Sequence, residues 1–378
     1  MPQVLDRGDG SQDALVVRVR GGGLVGWGEC EAAPLVSIAS WCCPMSHSAC
    51  RPLRDSVLGR RLESPRDIEE IGRDVRRRSF DLLQTDHTLS GIDIALWDIL
   101  GKRLGEPVWR LLGQERTLPK TPYASALFGD DPQATLEKAR RWREAGYRAV
   151  KLGWGPYGSG TVEADAEQVR AAREGLGEDG VLLVDAGTVW REDVDAASAR
   201  LPALEECGAL WLEEPFVKGA LGAYRELARR CRGVKLAGGE GIHDEHGARL
   251  FIELSGAGYV QIDAGRVGGI TVARKAALHA AARGMQFVNH TFTTQLALSA
   301  SLQAYAGMAG HDLCEHPVET SSLARELAPA LGRNPDGDVI VPQAPGLGVE
   351  PDVQAMRRYL VDAEIGVGGR VLYRTPEL

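Results

Sequence analysis

From Thr121 onward the chain alternates short apolar runs with longer stretches of helical periodicity. The runs read TPYASALFG, AVKLGW, VLLVDAG, LWLEEPF, KLAGGEG, YVQIDAG, QFVNHTF and HDLCEHP. Between most of them lie amphipathic segments such as ATLEKARRWREAGY and ADAEQVRAAREGLG, with apolar residues every three or four positions. Each segment ends at or near a glycine, as helix C-termini often do. Eight strand-then-helix units in succession predict an α/β fold: a closed (β/α)7–8 TIM-type barrel over residues 121–345. An open doubly wound sheet would be expected to show a glycine-rich phosphate turn after its first strand. The first run here continues into ALFGDDP with no GxGxxG behind it, so the barrel is the better reading.

The texture before Thr121 is different. LVVRVRGGGLVGWGE alternates like a hairpin, and DHTLSGIDIALWDILGKRLGEPVWRLLG reads as helical segments. The tail, YLVDAEIGVGGRVLY, reads as a helix end followed by more strand. Together the two ends predict an α+β capping domain, residues 1–120 completed by 346–378, packed on the barrel.

A length of 378 residues accommodates both parts, and 44% hydrophobic with 25% charged residues is ordinary for a globular protein. A net charge of -8 speaks against a nucleic-acid partner, which would want a basic face. No apolar run approaches the roughly 18 to 20 residues that cross a bilayer. The start, MPQVLDRGDGSQD, lacks the apolar core of a secretory signal. Seven cysteines without a CxxC pair suggest reduced thiols and a cytoplasmic protein. Cys42 and Cys43 are adjacent in a predicted loop, but nothing nearby supplies a partner base.

In barrels of this kind the chemistry sits where the strands end, because the loops there converge on one mouth. The third run ends in Asp185, the fourth in Glu213 and Glu214, and the fifth in Glu240. The sixth ends in Asp263, the seventh in His290 and the eighth in Glu315, while the second carries Lys151. Acids at three successive strand ends would gather costly negative charge in one cavity. A hard divalent cation with oxygen ligands relieves it, and Mg²⁺ suits carboxylates with water and substrate oxygens. Taken singly, each acid would more simply be a solvated or ion-paired surface residue. His290 alone would as readily be a satisfied barrel histidine.

VDAG, WLEEP, GGEG, QIDAGRVGGI and NHTF, in that order, resemble the enolase superfamily, and specifically its mandelate racemase branch. GWGE and GIDIALWDILGK resemble that branch's capping domain, so the likeness spans nearly the whole chain. The resemblance implies that Asp185, Glu213 and Glu240 hold one Mg²⁺, with Glu214 supporting them. It implies that His290 is the catalytic base, paired with Asp263, and that Glu315 helps hold the substrate carboxylate. The physics of the pair agrees, since a carboxylate on one ring nitrogen fixes the tautomer and raises the basicity of the other. His311 and His316 flank Glu315 and read as structural.

The chain departs from the family pattern in two places. The second strand of relatives commonly carries two lysines spaced KxK, the second acting as a base opposite the histidine in racemase-type enzymes. Here Lys151 matches the first, and Gly153 stands where the second would be. Inverting a stereocentre generally needs a base on each face, whereas elimination can use one group for both proton steps. The following WGPYG weakly resembles rhamnonate-type acid-sugar dehydratases, and Trp154 or Tyr157 is available to fill the space. Relatives also usually carry some twenty or more further residues before the strand reading LVVRVR, including a loop that closes over substrate. Here SWCCPMSHSACR, with Trp41 and His47, is the available cover. The expectation is therefore a Mg²⁺-dependent dehydratase of a sugar-derived carboxylate, an aldonate or aldarate. A racemase, epimerase or cycloisomerase using Lys151 as opposite base is the alternative, and a non-catalytic barrel is a distant one. The expected partner is a small carboxylate, with no nucleic acid or membrane, in a protein that associates with copies of itself.

Overall fold

The computed structural model describes residues 13–31 and 33–378. All of the N-terminal stretch weighed above as a possible signal, except Asp13, lies outside them. The strands are β1 (Leu15–Gly21), β2 (Leu24–Cys30), β3 (Thr121–Leu127), β4 (Ala149–Gly153), β5 (Val181–Asp185) and β6 (Ala209–Glu213). Then come β7 (Lys235–Gly238), β8 (Tyr259–Asp263), β9 (Gln286–His290), β10 (Leu313–Pro317), β11 (Glu364–Val367) and β12 (Arg370–Arg374).

Strands β3 to β10 form one sheet in the order β10-β3-β4-β5-β6-β7-β8-β9, with every paired neighbour parallel. Helices such as Pro132–Glu144, Val162–Leu176 and Ile270–Ala282 cover its outside. The barrel is near-closed. At the seam between β9 and β10 a side chain does the bridging: Glu315 N–H donates to Asn289 Oδ1 at 3.0 Å, and Asn289 Nδ2 donates to the Glu315 carbonyl at 3.4 Å. Inside, Tyr123, Ala149, Leu183, Trp211, Ala237 and Val288 form an apolar layer that floors the mouth.

The cap begins with the antiparallel β1–β2 hairpin. Helix Thr85–Leu104 lies so close on it that a Cβ at Gly28 would fall 2.1 Å from the Gly91 carbonyl. That approach accounts for the glycines of GWGE. The same helix joins cap to barrel, since Asp93 accepts Thr271 N–H at 3.1 Å and Trp97 Nε1 donates to Thr271 Oγ1 at 2.9 Å. β11 and β12 make a second hairpin, and Arg18 of β1 donates to the Glu377 carbonyl at 2.8 Å, placing the C-terminal tail beside the N-terminal hairpin. No helix among the described residues is long and apolar enough to cross a membrane.

Candidate active site

Strand register sets the site. In parallel ladders, residues opposite one another share a face, and here Gly153 pairs with Asp185, Asp185 with Glu213, and Asp263 with His290. Lys151, two positions before Gly153, points the same way. All of these residues are buried, as are Glu214 and Glu315.

Lys151 lies at the centre of one half. Its Nζ is 2.6 Å from Glu213 Oε1, 2.8 Å from Glu315 Oε1 and 3.7 Å from Asp185 Oδ2. Burial works against its charge, but Glu213 and Glu315 outweigh burial and hold the ammonium above its ordinary range. Glu213 also accepts from Trp211 Nε1 at 3.1 Å, and Asp185 from Gly187 N–H at 2.8 Å. Burial pushes Asp185 up to about 6 and Glu213 up to about 8, with Lys151 opposing and the neighbouring acids adding. Glu214 is left-handed at φ 40°, and burial with the charges of Glu240 and Asp185 pushes it well up.

The other half is built on His290. Its Nδ1 is 2.6 Å from Asp263 Oδ2, whose other oxygen accepts Gly265 N–H at 2.6 Å. Its Nε2 faces inward, 3.3 Å from Glu240 Oε2 and 3.8 Å from Glu315 Oε2. Burial disfavours the imidazolium, yet Glu240, Glu315 and the Asp263 bond hold it well above the usual range. Glu240 lies two residues beyond the end of β7, not on the strand. Arg266 Nη1 holds it, 3.6 Å from Oε1.

Two contributors, Glu31 and Arg266, escaped the sequence reading. Glu31, just past β2 of the cap, places one oxygen 2.5 Å from Arg266 Nη2 and the other 3.9 Å from His290 Nδ1. Its donor atom, with those of Asp263 and His290, forms a group within 4.8 Å. Burial and the Asp263 charge push its carboxyl well up. The available signal was the charge balance: an arginine directly after QIDAG, at a mouth already rich in acids, calls for a partner.

Six other side chains singled out in the sequence lie in settings of their own. Tyr157 is buried in a stack on Phe128 with ring centroids 5.0 Å apart. Trp154 is exposed on the rim with φ 55°, against Gly187. Trp41 packs on the core, and His47 pairs with Asp81 at 3.1 Å. His311 Nδ1 accepts Phe287 N–H at 2.9 Å, and His316 Nδ1 meets Tyr147 OH at 2.9 Å, both structural contacts.

Against known families, the chain matches the "Enolase C-terminal domain-like" model over residues 134–355, more than half its length. It belongs to the enolase superfamily. Residues 4–113 match the mandelate racemase / muconate lactonizing enzyme N-terminal domain, which places the chain in the mandelate racemase branch. A solved structure described as a predicted mandelate racemase from Rhodobacter sphaeroides superposes with a TM-score of 0.96 at 55% identity, covering 100% of this chain and 96% of that one. D-galactarolactone cycloisomerase of Agrobacterium fabrum is 30% identical, covering 89% of this chain and 88% of its own. D-galactonate dehydratase of Klebsiella pneumoniae is 29% identical, covering 87% and 86%. The chain is thus an enzyme of the enolase superfamily, whose members are generally Mg²⁺-dependent, and the two named relatives act on a sugar-acid lactone and a sugar acid.

Within the enolase-superfamily frame, the donor set suits a hard cation. Asp185, Glu213 and Glu240 offer only carboxylate oxygens, and the buried acids outnumber Lys151 and Arg266. Their oxygens are not among the groups within 4.8 Å of one another, for a physical reason. Lys151 draws Glu213 and Asp185, while Arg266 and His290 draw Glu240.

Proposed function

We propose that this enzyme is a hydro-lyase that removes water from an aldonate or aldarate. The reading rests on one observation, the asymmetry of the two walls. On one wall Asp263 orients His290 at 2.6 Å, with Nε2 turned into the site. On the other, Gly153 offers no side chain, and an added Cβ would lie 2.7 Å from Asp185 Cβ. Lys151, which lies deeper, is bound to three carboxylates and is held protonated. A site with a single accessible base suits elimination better than inversion.

Asp185, Glu213 and Glu240 would hold one Mg²⁺, with Glu214 in support. When bound, the ion supplies positive charge at the substrate carboxylate, where negative charge grows as the α-proton leaves. The chain's own residues do the rest. Lys151, steadied by Glu315, neutralises the carboxylate. His290 first gives up to solvent the proton that Glu240 and Glu315 hold on it, then takes the α-proton and returns it to the departing β-hydroxyl, which leaves as water. Asp263 keeps the ring in register throughout. The chain divides on this reading into a cap, residues 1–120 with 346–378, and a barrel, 121–345. The free cysteines fit a reducing cytoplasm.

The cycloisomerase relative keeps a second reading in view, because a lactone ring opened by β-elimination also starts with loss of an α-proton. Incubating the protein and Mg²⁺ with a panel of aldonates, aldarates and their lactones separates them. Formation of a 2-keto-3-deoxy acid from an open-chain aldonate or aldarate, with release of water and lost in His290→Asn, supports dehydration. An isomer formed without loss of water replaces it with cycloisomerisation.

A further inference from the structure

Away from the barrel mouth, three side chains on the cap are assembled as a ligand set that the reaction does not use. After helix Pro34–Cys42 the chain reads CPMSHSACR. A turn closed by Cys50 N–H donating to the His47 carbonyl at 2.9 Å brings these two residues together. Asp81, just beyond helix Pro65–Ser79, meets both: one carboxylate oxygen is 3.1 Å from His47 Nε2 and 3.7 Å from Cys50 Sγ. The three donor atoms all lie within 4.8 Å of one another. Backbone bonds tie the segments, Arg51 N–H to the Arg78 carbonyl and Asp81 N–H to the Ala49 carbonyl, each at 3.2 Å. The donors are therefore held close by the fold itself.

As an ion pair this contact has little value, because both side chains are more than half exposed, 52% and 57%, where water screens the charges. As a coordination site the spacing is apt. Tetrahedral bonds of about 2.0 to 2.3 Å put ligand atoms roughly 3.3 to 3.8 Å apart, beside the observed 3.1 and 3.7 Å. Two arginines on the adjoining helix are engaged elsewhere, Arg77 with Asp74 at 3.1 Å and Arg78 with the Asp55 carbonyl at 3.1 Å. The donor chemistry is also the opposite of the barrel mouth. Nitrogen, sulfur and oxygen together favour a borderline-soft ion, whereas Mg²⁺ selects oxygen alone.

We propose that His47 Nε2, the Cys50 thiolate and an Asp81 oxygen bind a zinc-type divalent cation on the cap, with water as fourth ligand. The ion clips the 43–50 loop to the turn that follows helix Pro65–Ser79. Binding releases the Cys50 proton to solvent and moves the ring proton of His47 to Nδ1, at the expense of the 3.3 Å bond from Ala49 N–H. The site holds whatever reaction the barrel performs.

The test uses the full-length protein in excess Mg²⁺, which occupies oxygen-only sites, titrated with Co²⁺ as a coloured stand-in for zinc. One Co²⁺ per chain should bind with a thiolate-to-cobalt charge-transfer band in the near ultraviolet, and zinc should bleach it. Cys50→Ser should abolish the band, and His47→Ala or Asp81→Asn should weaken binding about 10-fold or more. All three variants should keep the far-UV spectrum and the Mg²⁺-dependent thermal shift of the parent. Absence of the band in the parent overturns the proposal. So does its survival in Cys50→Ser, since six other free thiols would then be the source.

Discussion

His290 can serve as a base only while its other nitrogen is held, and Asp263 holds it from two directions, bonded to the ring and anchored by Gly265 N–H. An amide at position 263 keeps the shape but cannot stabilise the protonated ring. Asp263→Asn should thus leave the far-UV spectrum unchanged and lower kcat on the order of 10²-fold or more. A folded variant with full turnover would remove Asp263 from the chemistry. Lys151 makes a different prediction, because it is the counter-charge of three buried carboxylates. Its loss strands them, so Lys151→Ala should be destabilised by about 3 to 5 kcal/mol in EDTA. Added Mg²⁺ should recover part of the melting temperature. The variant should still exchange the substrate α-proton with D₂O, whereas His290→Asn should not. If Lys151→Ala alone stops exchange, Lys151 is a second base, and racemisation or epimerisation replaces dehydration.

The strand ends were legible because a period-two strand that closes in aspartate or glutamate shows its polar terminus directly, as VLLVD and YVQID do. Glu240 was legible only approximately, since GGEG carries it past the end of β7 into a turn whose path no periodicity describes. Gly153 was legible as a departure but not as a cause. The structure adds that Asp185 leans over it, so a side chain there would meet Asp185 before it met substrate. Gly153→Lys should not install a second base. It should displace Asp185 and weaken Mg²⁺ binding by about 10- to 100-fold in a calorimetric titration, the scale on which disturbing a ligand's supports acts. Unchanged affinity with new racemase activity would show that the strand can make room. The seam was not legible at all, because Asn289 follows an ordinary run, QFV, and its neighbours come from far along the chain. Removing its side chain orphans Glu315 N–H and takes from the Tyr305 hydroxyl its 2.7 Å acceptor, leaving it the Leu313 carbonyl at 3.1 Å. Asn289→Ala should therefore lose on the order of 3 kcal/mol in urea unfolding. A loss under 1 kcal/mol would mean that the seam closes without it.

At the scale of the whole molecule the catalytic mouth has a roof supplied by sequence more than 200 positions away, as the 235-residue separation of Glu31 and Arg266 shows. Local patterning cannot announce such docking, and Glu31 was missed for that reason. The same roof buries Glu29, whose carboxylate accepts from the Thr294 hydroxyl across the junction of cap and barrel. Among the described residues its second oxygen, also buried, has no hydrogen-bond partner. Burial raises this carboxyl from 4.5 to about 7, and the hydroxyls of Thr293 and Thr294 only partly oppose it. The direction fixes the pH response. Below the unfolded value of 4.5 both states hold the proton, so Glu29 exacts no penalty. As pH rises towards 7 the unfolded chain releases the proton while the folded protein retains it, and stability falls by about 3 kcal/mol before levelling off. Glu29→Gln cannot titrate, so this component of the slope should vanish. Urea unfolding of both proteins at several pH values across that window should show the parent losing stability relative to the variant as pH rises. Parallel curves would mean that Glu29 titrates normally, and that the junction over the site admits water.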